Sequence, residues 1–389
     1  MKRLLTSAVV IAAIAAGAAG DAFARADAPL SPGLVAAMRA KDMKPSAPVL
    51  LRVFKREAEL EVWKQRSDGR YALLKTFPVC RWSGQLGPKR RTGDRQTPEG
   101  FYEIRPQQMN PRSAYHLSFN VGFPNAYDRA HGYTGSYLMV HGACSSMGCY
   151  AMTDAGVQEI YALLREAFRG GQRAAQFQAY PFRMTARNMA LARDDPNYPF
   201  WLQLKEGYDR FEATRLPPAV QVSGRRYVFA PYAGPETEAR AQARLEAERD
   251  AIRREIDDGA PSVRITYADG GMHPSFARLR DRTALGVVSR PEALAQAGRI
   301  VVVRAGVKKR PTLTAQASGL AFVMWEMALR RSPPALALPG AGAVAADRVA
   351  IAHAGAAYAG AAQDAAAPAT RDGWTGALVA MARAGDLAR

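Results

Sequence analysis

A histidine at 141 and a cysteine at 149 stand at a spacing that supports covalent chemistry. Tyr137-Leu138-Met139-Val140 is a short apolar run that reads as a buried strand, and it ends in His141-Gly142. A turn of small residues leads to Gly148-Cys149. Asp154 then opens a stretch with Val157, Ile160, Tyr161, Leu164 and Phe168 at helical spacing. A strand-end imidazole would thus meet a thiol lying just ahead of a helix. A free thiol is mostly protonated at neutral pH, and a close histidine makes the attacking thiolate available. Gly148 lets the backbone approach a substrate closely, and the amides around Cys149 could donate to an oxyanion. Two other readings fit the same residue types. Both residues could be buried and structural, as such residues commonly are. His141, Cys144 and Cys149 could instead be three ligands of a metal site, although no fourth ligand stands at a familiar spacing.

The elements that must position this pair are mostly strands. Val49 to Phe54, Glu59 to Val62 and Tyr71 to Val79 are short β-type runs, the last two separated by the hairpin signal Ser67-Asp68-Gly69. This strand-turn-strand opening excludes a doubly wound parallel sheet and predicts a β-dominated α+β core. The Gly-rich connection Ser83–Gly100 carries Lys89, Arg90, Arg91 and Arg95, and it reads as a solvated basic turn that could hold substrate carboxylates. Residues 107–135 read as a long rim loop, where Arg129, His131 and Tyr133 are candidate substrate contacts. His131 is the second candidate for the catalytic base. A helix is predicted over about 154–170, a strand over Gln178–Met184, and helix over Met189–Leu204, interrupted at Asp195-Pro196.

The block His-Gly-x-Cys-x-Ser-x-Gly-Cys-Tyr-Ala-Met-Thr-Asp, residues 141–154, resembles the active-site block of the L,D-transpeptidase (YkuD-type) catalytic domain. More narrowly, it resembles the YafK-like murein L,D-transpeptidases. Ser83-Gly84-Gln85-Leu86-Gly87-Pro88-Lys89, Gly93-Asp94-Arg95-Gln96-Thr97-Pro98-Glu99-Gly100 and Phe200-Trp201-Leu202-Gln203 resemble the same branch. The resemblance covers about residues 49–232 and implies a β-sandwich-like catalytic domain with flanking helices. It makes Cys149 the nucleophile, His141 the proton donor and acceptor, Gly142 the carbonyl that orients the ring, and Gly148 part of the oxyanion-hole region. Ser146 and Tyr150 would then lie beside the substrate. The implied substrates are peptidoglycan stem peptides, with outer-membrane proteins or lipoproteins as further acceptors or substrates. No metal and no organic cofactor is implied. Two departures from the commonest family pattern, the short histidine-to-cysteine separation and Tyr150-Ala151 in place of a hydrophobic-Arg pair, recur in the YafK-like branch. Transfer to an amine, hydrolysis of a wall peptide, and wall binding without catalysis all remain compatible with these residues.

Around this domain the chain changes character. Lys2 and Arg3, the apolar run Leu4–Ala19 and the small-x-small sites Ala22-Phe23-Ala24 and Ala24-Arg25-Ala26 predict a signal peptide over 1–26, hence export to the periplasm. Residues 27–48 read as a loose linker. Residues 233–331 read as a charged, solvated helix plus a small appended region, and 332–389 as an Ala/Gly/Pro-rich tail, disordered except about Trp374–Ala384. An exported chain with three cysteines leaves one unpaired, and Cys80 and Cys144 are the candidates for a disulfide that spares Cys149. The net charge of +18, from 53 Lys plus Arg against 35 Asp plus Glu, fits attraction to anionic wall polymers, and equally an arginine-rich compositional bias. No nucleic-acid-binding motif is present.

Overall fold

The computed structural model of the chain describes residues 24–277 and 298–304. Its first element corrects the reading of 27–48 as a loose linker. Helix α1, Pro32–Ala40, is capped by Ser31, whose side chain accepts from the Leu34 amide at 3.3 Å. Pro32 stands at the helix start, where its fixed φ favours the helix and no amide is missed. Leu34 and Met38 bury their side chains in the main core.

The predicted opening meander is present. Strands β1 (Val49–Phe54), β2 (Glu59–Gln65) and β3 (Tyr71–Pro78) pair antiparallel in sequence, and Gly69 takes a left-handed φ of 80° in the second turn. Every residue of β1 is buried, as expected for a central strand covered on both faces. β4 (Gly100–Ile104) completes a five-stranded sheet in the order β3-β2-β1-β9-β4. Its β9, Ala175–Tyr180, runs parallel to β1 and antiparallel to β4. That strand begins three residues before the predicted Gln178, and Phe182 and Met184 continue into the core as irregular chain.

A second sheet carries the candidate chemistry. It runs β5 (Met109–Asn110), β6 (Ser118–Asn120), β7 (Met139–His141) and β8 (Tyr150–Ala151), with β7 and β8 parallel. Between β6 and β7 lies the short helix α2, Ala126–Ala130. From β8 the chain enters α3, Asp154–Arg169, whose N-cap Thr153 accepts from the Gly156 amide at 3.1 Å. Its apolar stripe of Val157, Ile160, Tyr161 and Leu164 is buried, which fixes where β8 ends. The two sheets share one core: the Tyr150 ring of β8 lies 5.7 Å from Phe177 of β9. The result is the β-rich α+β architecture expected.

Helices α4 (Ala186–Leu191) and α5 (Tyr198–Thr214) flank Asp195-Pro196, as predicted, and the hairpin of β10 (Val220–Ser223) and β11 (Arg226–Phe229) follows. Helix α6, Pro235–Asp257, is solvated along most of its length, with Ala241 and Leu245 buried. It is held to the preceding helices by ion pairs: Glu248 with Lys205 at 2.7 Å, Glu238 with Arg210 at 3.1 Å and Glu255 with Arg187 at 3.2 Å. Strands β12 (Ser262–Thr266) and β13 (Arg299–Arg304) pair antiparallel, and the one-turn helix α7 (Pro274–Ala277) lies between them in sequence. Among the described residues no helix is long and apolar enough to cross a membrane. Most of the predicted signal peptide, the apolar run Leu320–Leu329, and the tail with Trp374–Ala384 lie outside the described residues.

Candidate active site

His141 is the last residue of β7, and Cys149 immediately precedes β8. The parallel register sets Val140 beside Tyr150 and His141 beside Ala151. Extended by one residue, it sets Cys149 beside Met139, whose amide lies 3.4 Å from Cys149 Sγ. Side chains alternate along a strand, so His141 shares a face with Met139 and Cys149 with Ala151. Imidazole and thiol are therefore diagonal neighbours on one face of the β7–β8 pair. The predicted pair is brought together by strand pairing rather than by the turn between them.

The imidazole is buried and held in one orientation. His141 Nδ1 lies 2.6 Å from the Gly142 carbonyl, so Nδ1 carries the proton and Nε2 keeps its lone pair. The Tyr115 ring lies against it, centroids 4.8 Å apart. Burial lowers the His141 pKa below the ordinary histidine value, opposed by the Gly142 carbonyl and the charge of Asp154. Gly142 is a glycine for lack of space. A Cβ there would overlap Asp154 Oδ1, which accepts the Ala143 amide at 2.9 Å, and would come within 2.9 Å of the Tyr115 carbonyl. Ala143 and Cys144 then both take left-handed φ values, 63° and 47°, and reverse the chain.

Cys149 is half-buried and unpaired, while Cys80 and Cys144 form a disulfide with Cα atoms 5.2 Å apart. That bond removes Cys144 as a metal ligand and with it the three-ligand reading. Burial pushes the Cys149 thiol pKa up, opposed by the Met139 amide and the Lys89 charge. The Tyr137 carbonyl, 3.8 Å from Sγ, is positioned to accept the thiol proton's hydrogen bond. At neutral pH the resting site is thus a thiol beside a neutral imidazole, not a preformed thiolate–imidazolium pair. Gly148 takes φ 128°, and a Cβ there would meet nothing closer than 3.6 Å. Conformation, not space, requires the glycine.

The other predicted site residues fall into two groups. Ser146 and Tyr150 face inward. Ser146 Oγ donates to the Cys149 carbonyl at 2.7 Å, accepts the Gly148 amide at 3.3 Å and lies 3.0 Å from Ser83 Oγ. The Tyr150 hydroxyl donates to the Pro98 carbonyl at 2.6 Å beneath the sheet. Both side chains are buried and bonded to backbone carbonyls around Cys149. His131, Tyr133 and Arg129 lie at the end of α2. His131 Nδ1 lies 2.9 Å from the Tyr127 carbonyl, and its ring lies 4.1 Å from Tyr127 and 5.3 Å from Tyr133. Its neighbours are thus tyrosines, whereas His141 shares the face of Cys149. Arg129 is exposed.

The 83–99 loop holds the residues that sequence reasoning missed. Its basic run is not uniformly solvated: Arg90 and Arg91 are exposed, whereas Lys89 is buried and donates to Asp94 Oδ1 at 2.5 Å and the Arg91 carbonyl at 3.0 Å. Beneath the loop, Lys55 and Glu99 form a fully buried ion pair at 2.9 Å. Lys55 Nζ also donates to the carbonyls of Gln85 at 2.6 Å and Thr97 at 3.0 Å. Glu99 accepts from the Gly87 amide at 2.7 Å and Trp201 Nε1 at 2.9 Å. A lysine directly after a strand buried throughout was the available signal.

A family model for the L,D-transpeptidase catalytic domain, YkuD, matches residues 50–170. YafK of Escherichia coli (strain K12), a protein provisionally named as an L,D-transpeptidase, is 48% identical over 184 residues, covering 47% of this chain and 74% of YafK. This chain is an L,D-transpeptidase family member. YafK of Escherichia coli O157:H7 matches to the same extent. Among solved structures, the helical cell shape determining protein Pgp2 from Campylobacter jejuni aligns at 13% identity with a TM-score of 0.28, over 60% of this chain and 80% of that one. Bdellovibrio bacteriovorus Bd1075 aligns at 13% identity and TM-score 0.26, over 57% and 75%. Family membership rests on the sequence likeness, and the matched residues 50–170 include His141 and Cys149.

Proposed function

We propose that the protein is an exported peptidoglycan L,D-transpeptidase acting through Cys149. His141 Nε2 takes the thiol proton as Sγ attacks the carbonyl at the L-centre of meso-diaminopimelate in a stem peptide. The tetrahedral oxyanion is met by amides of the turn that carries Cys149. The same proton is then given to the departing amine of D-alanine, leaving a thioester on Cys149. An acceptor amine, from a second stem peptide or an outer-membrane protein or lipoprotein, attacks the thioester. His141 takes the amine's proton and returns it to the thiolate as the new amide forms. The observation that carries this reading is the imidazole held by its Nδ1 on the Gly142 carbonyl, with Nε2 unprotonated on the face that bears the thiol. A neutral base beside a protonated thiol suits proton transfer during attack, because both pKa directions keep the pair uncharged until substrate arrives.

Export to the periplasm is part of the same proposal, supported by the basic residues Lys2 and Arg3 and the apolar run before Ala24. The disulfide Cys80–Cys144 suits an oxidising compartment. The test is muropeptide analysis after incubating wild type and Cys149→Ala with tetrapeptide-bearing muropeptides and an amine acceptor. New amide-linked products with wild type alone are expected. Shortened peptides without any new amide would replace transfer by hydrolysis. Products independent of Cys149 would overturn the assignment.

A further inference from the structure

The segment Tyr267–Gly271 lies beyond residues 50–170 matched by the family model, yet it is bonded to the loop that supports the nucleophile. Trp82 and Gly271 exchange backbone hydrogen bonds, at 3.0 and 3.1 Å. Gln85 and Tyr267 do the same through the Gln85 amide: Oε1 accepts the Tyr267 amide at 2.8 Å, and Nε2 donates to the Tyr267 carbonyl. The Trp82 and Tyr267 rings pack with centroids 4.8 Å apart. Gly270 takes φ 76° against the Trp82 carbonyl, where a Cβ would overlap that oxygen.

Asp269 is at the centre of this contact and is 2% exposed. Its carboxylate takes Arg95 Nη2 at 2.6 Å, Arg81 Nη2 at 3.5 Å and the Gly84 amide at 3.3 Å. The connection continues to the nucleophile. The Arg95 carbonyl accepts from Ser83 Oγ at 2.7 Å, the Ser83 amide donates to Thr97 Oγ1 at 3.0 Å, and Thr97 Oγ1 donates to the Cys149 carbonyl at 3.3 Å, with Ser83 Oγ in contact with Ser146 Oγ at 3.0 Å. The Arg95–Gln96 backbone also borders Gly148, whose missing Cβ would sit 3.6 Å from the Gln96 carbonyl oxygen. Arg95 is thus held by a charge-assisted bond to the buried carboxylate, while Arg81 pairs with the same charge and donates to the Asp269 and Gly271 backbone carbonyls.

We propose that Asp269 is a positioning residue for the Cys149 turn. By tying Arg81 and Arg95 to one buried carboxylate, it fixes the loop against which Ser146 and Gly148 rest. The segment after α6 is on this account part of the catalytic unit. The inference rests on Cys149 being the nucleophile, and its test separates the two.

Asp269→Asn keeps the size and an acceptor for the Gly84 amide but removes the charge. Arg95→Gln removes the ion pair from the partly exposed side and leaves Arg81 with its partner. Misplacement of a reacting group by about 1 Å can lower the rate roughly 100-fold. The expected result for both variants is therefore a fall in kcat of about 10-fold or more with KM within about two-fold. Hydrogen exchange at residues 146–150 should accelerate in both, and iodoacetamide should alkylate Cys149 at a changed rate. Wild-type kcat, alkylation and exchange in the folded variants would overturn the proposal. If Asp269→Asn does not fold, Arg95→Gln decides alone. If wild type forms no Cys149-dependent product, the reading of the site fails, while exchange at 146–150 still decides the positioning role.

Discussion

Replacing Lys55 by methionine is the perturbation whose outcome follows most directly from the packing. Lys55 and Glu99 are both fully buried and 2.9 Å apart, and the lysine also donates to the Gln85 and Thr97 carbonyls. Methionine is close in volume, so the packing term is small and the loss is electrostatic. Glu99 keeps the Gly87 amide and Trp201 Nε1 but loses its counter-charge, leaving an uncompensated buried carboxylate. Breaking a buried pair from one side costs about 3–5 kcal/mol. For a unit of this size, that corresponds to a fall in Tm of roughly 6–20 °C, at about 2–4 °C per kcal/mol. The assay is urea unfolding of Lys55→Met, Glu99→Gln and the double variant. The pair should show a coupling energy of about 2 kcal/mol, since the double variant leaves no charge unpaired. A single-variant cost below about 1 kcal/mol, or additive single effects, would refute the reasoning.

Further outcomes follow from the same geometry. Because burial lowers the His141 pKa and only the neutral ring can act as base, kcat/KM should rise with pH through a midpoint below the ordinary histidine value of 6.5. It should then stay level through neutral pH. An acid limb centred above 7 would contradict this assignment. Gly142→Ala should abolish turnover while leaving most secondary structure, because the added methyl overlaps Asp154 Oδ1 and displaces the carbonyl that orients His141; circular dichroism with an activity assay checks both halves. Reducing Cys80–Cys144, which closes a sequence separation of 64, should cost stability. The loop-closure estimate is about 4 kcal/mol, read as a lower urea midpoint in dithiothreitol against a Cys80→Ser/Cys144→Ser control that does not respond.

Much of this was legible because the sequence signals were local. The opening meander shows as short apolar runs divided by Ser67-Asp68-Gly69, and α3 as an apolar stripe opened by Asp154. His141 and Cys149 fall on one face because the motif lies on two consecutive, paired strands of one sheet. What sequence missed depends on direction or on distance. Ser146 and Tyr150 adjoin Cys149 in the chain, yet the turn and the strand alternation point them inward. Lys89 sits in a run of like charges that resembles a solvated turn, and only its neighbour Asp94 offered a reason to bury it. The prolines and glycine of 27–48 suggest a loose linker, although Ser31-Pro32 also fits a helix start. Asp269 meets Arg95 across 174 residues of sequence, and no local pattern encodes such a pairing.

The central claim is that Cys149 carries the acyl group, and intact-protein mass spectrometry of the enzyme trapped with a tetrapeptide-bearing muropeptide tests it directly. The account predicts an adduct on wild type equal to the donor less D-alanine, lost on adding an amine and absent from Cys149→Ala. An adduct that persists in Cys149→Ala, or none on wild type while product still forms, would contradict it.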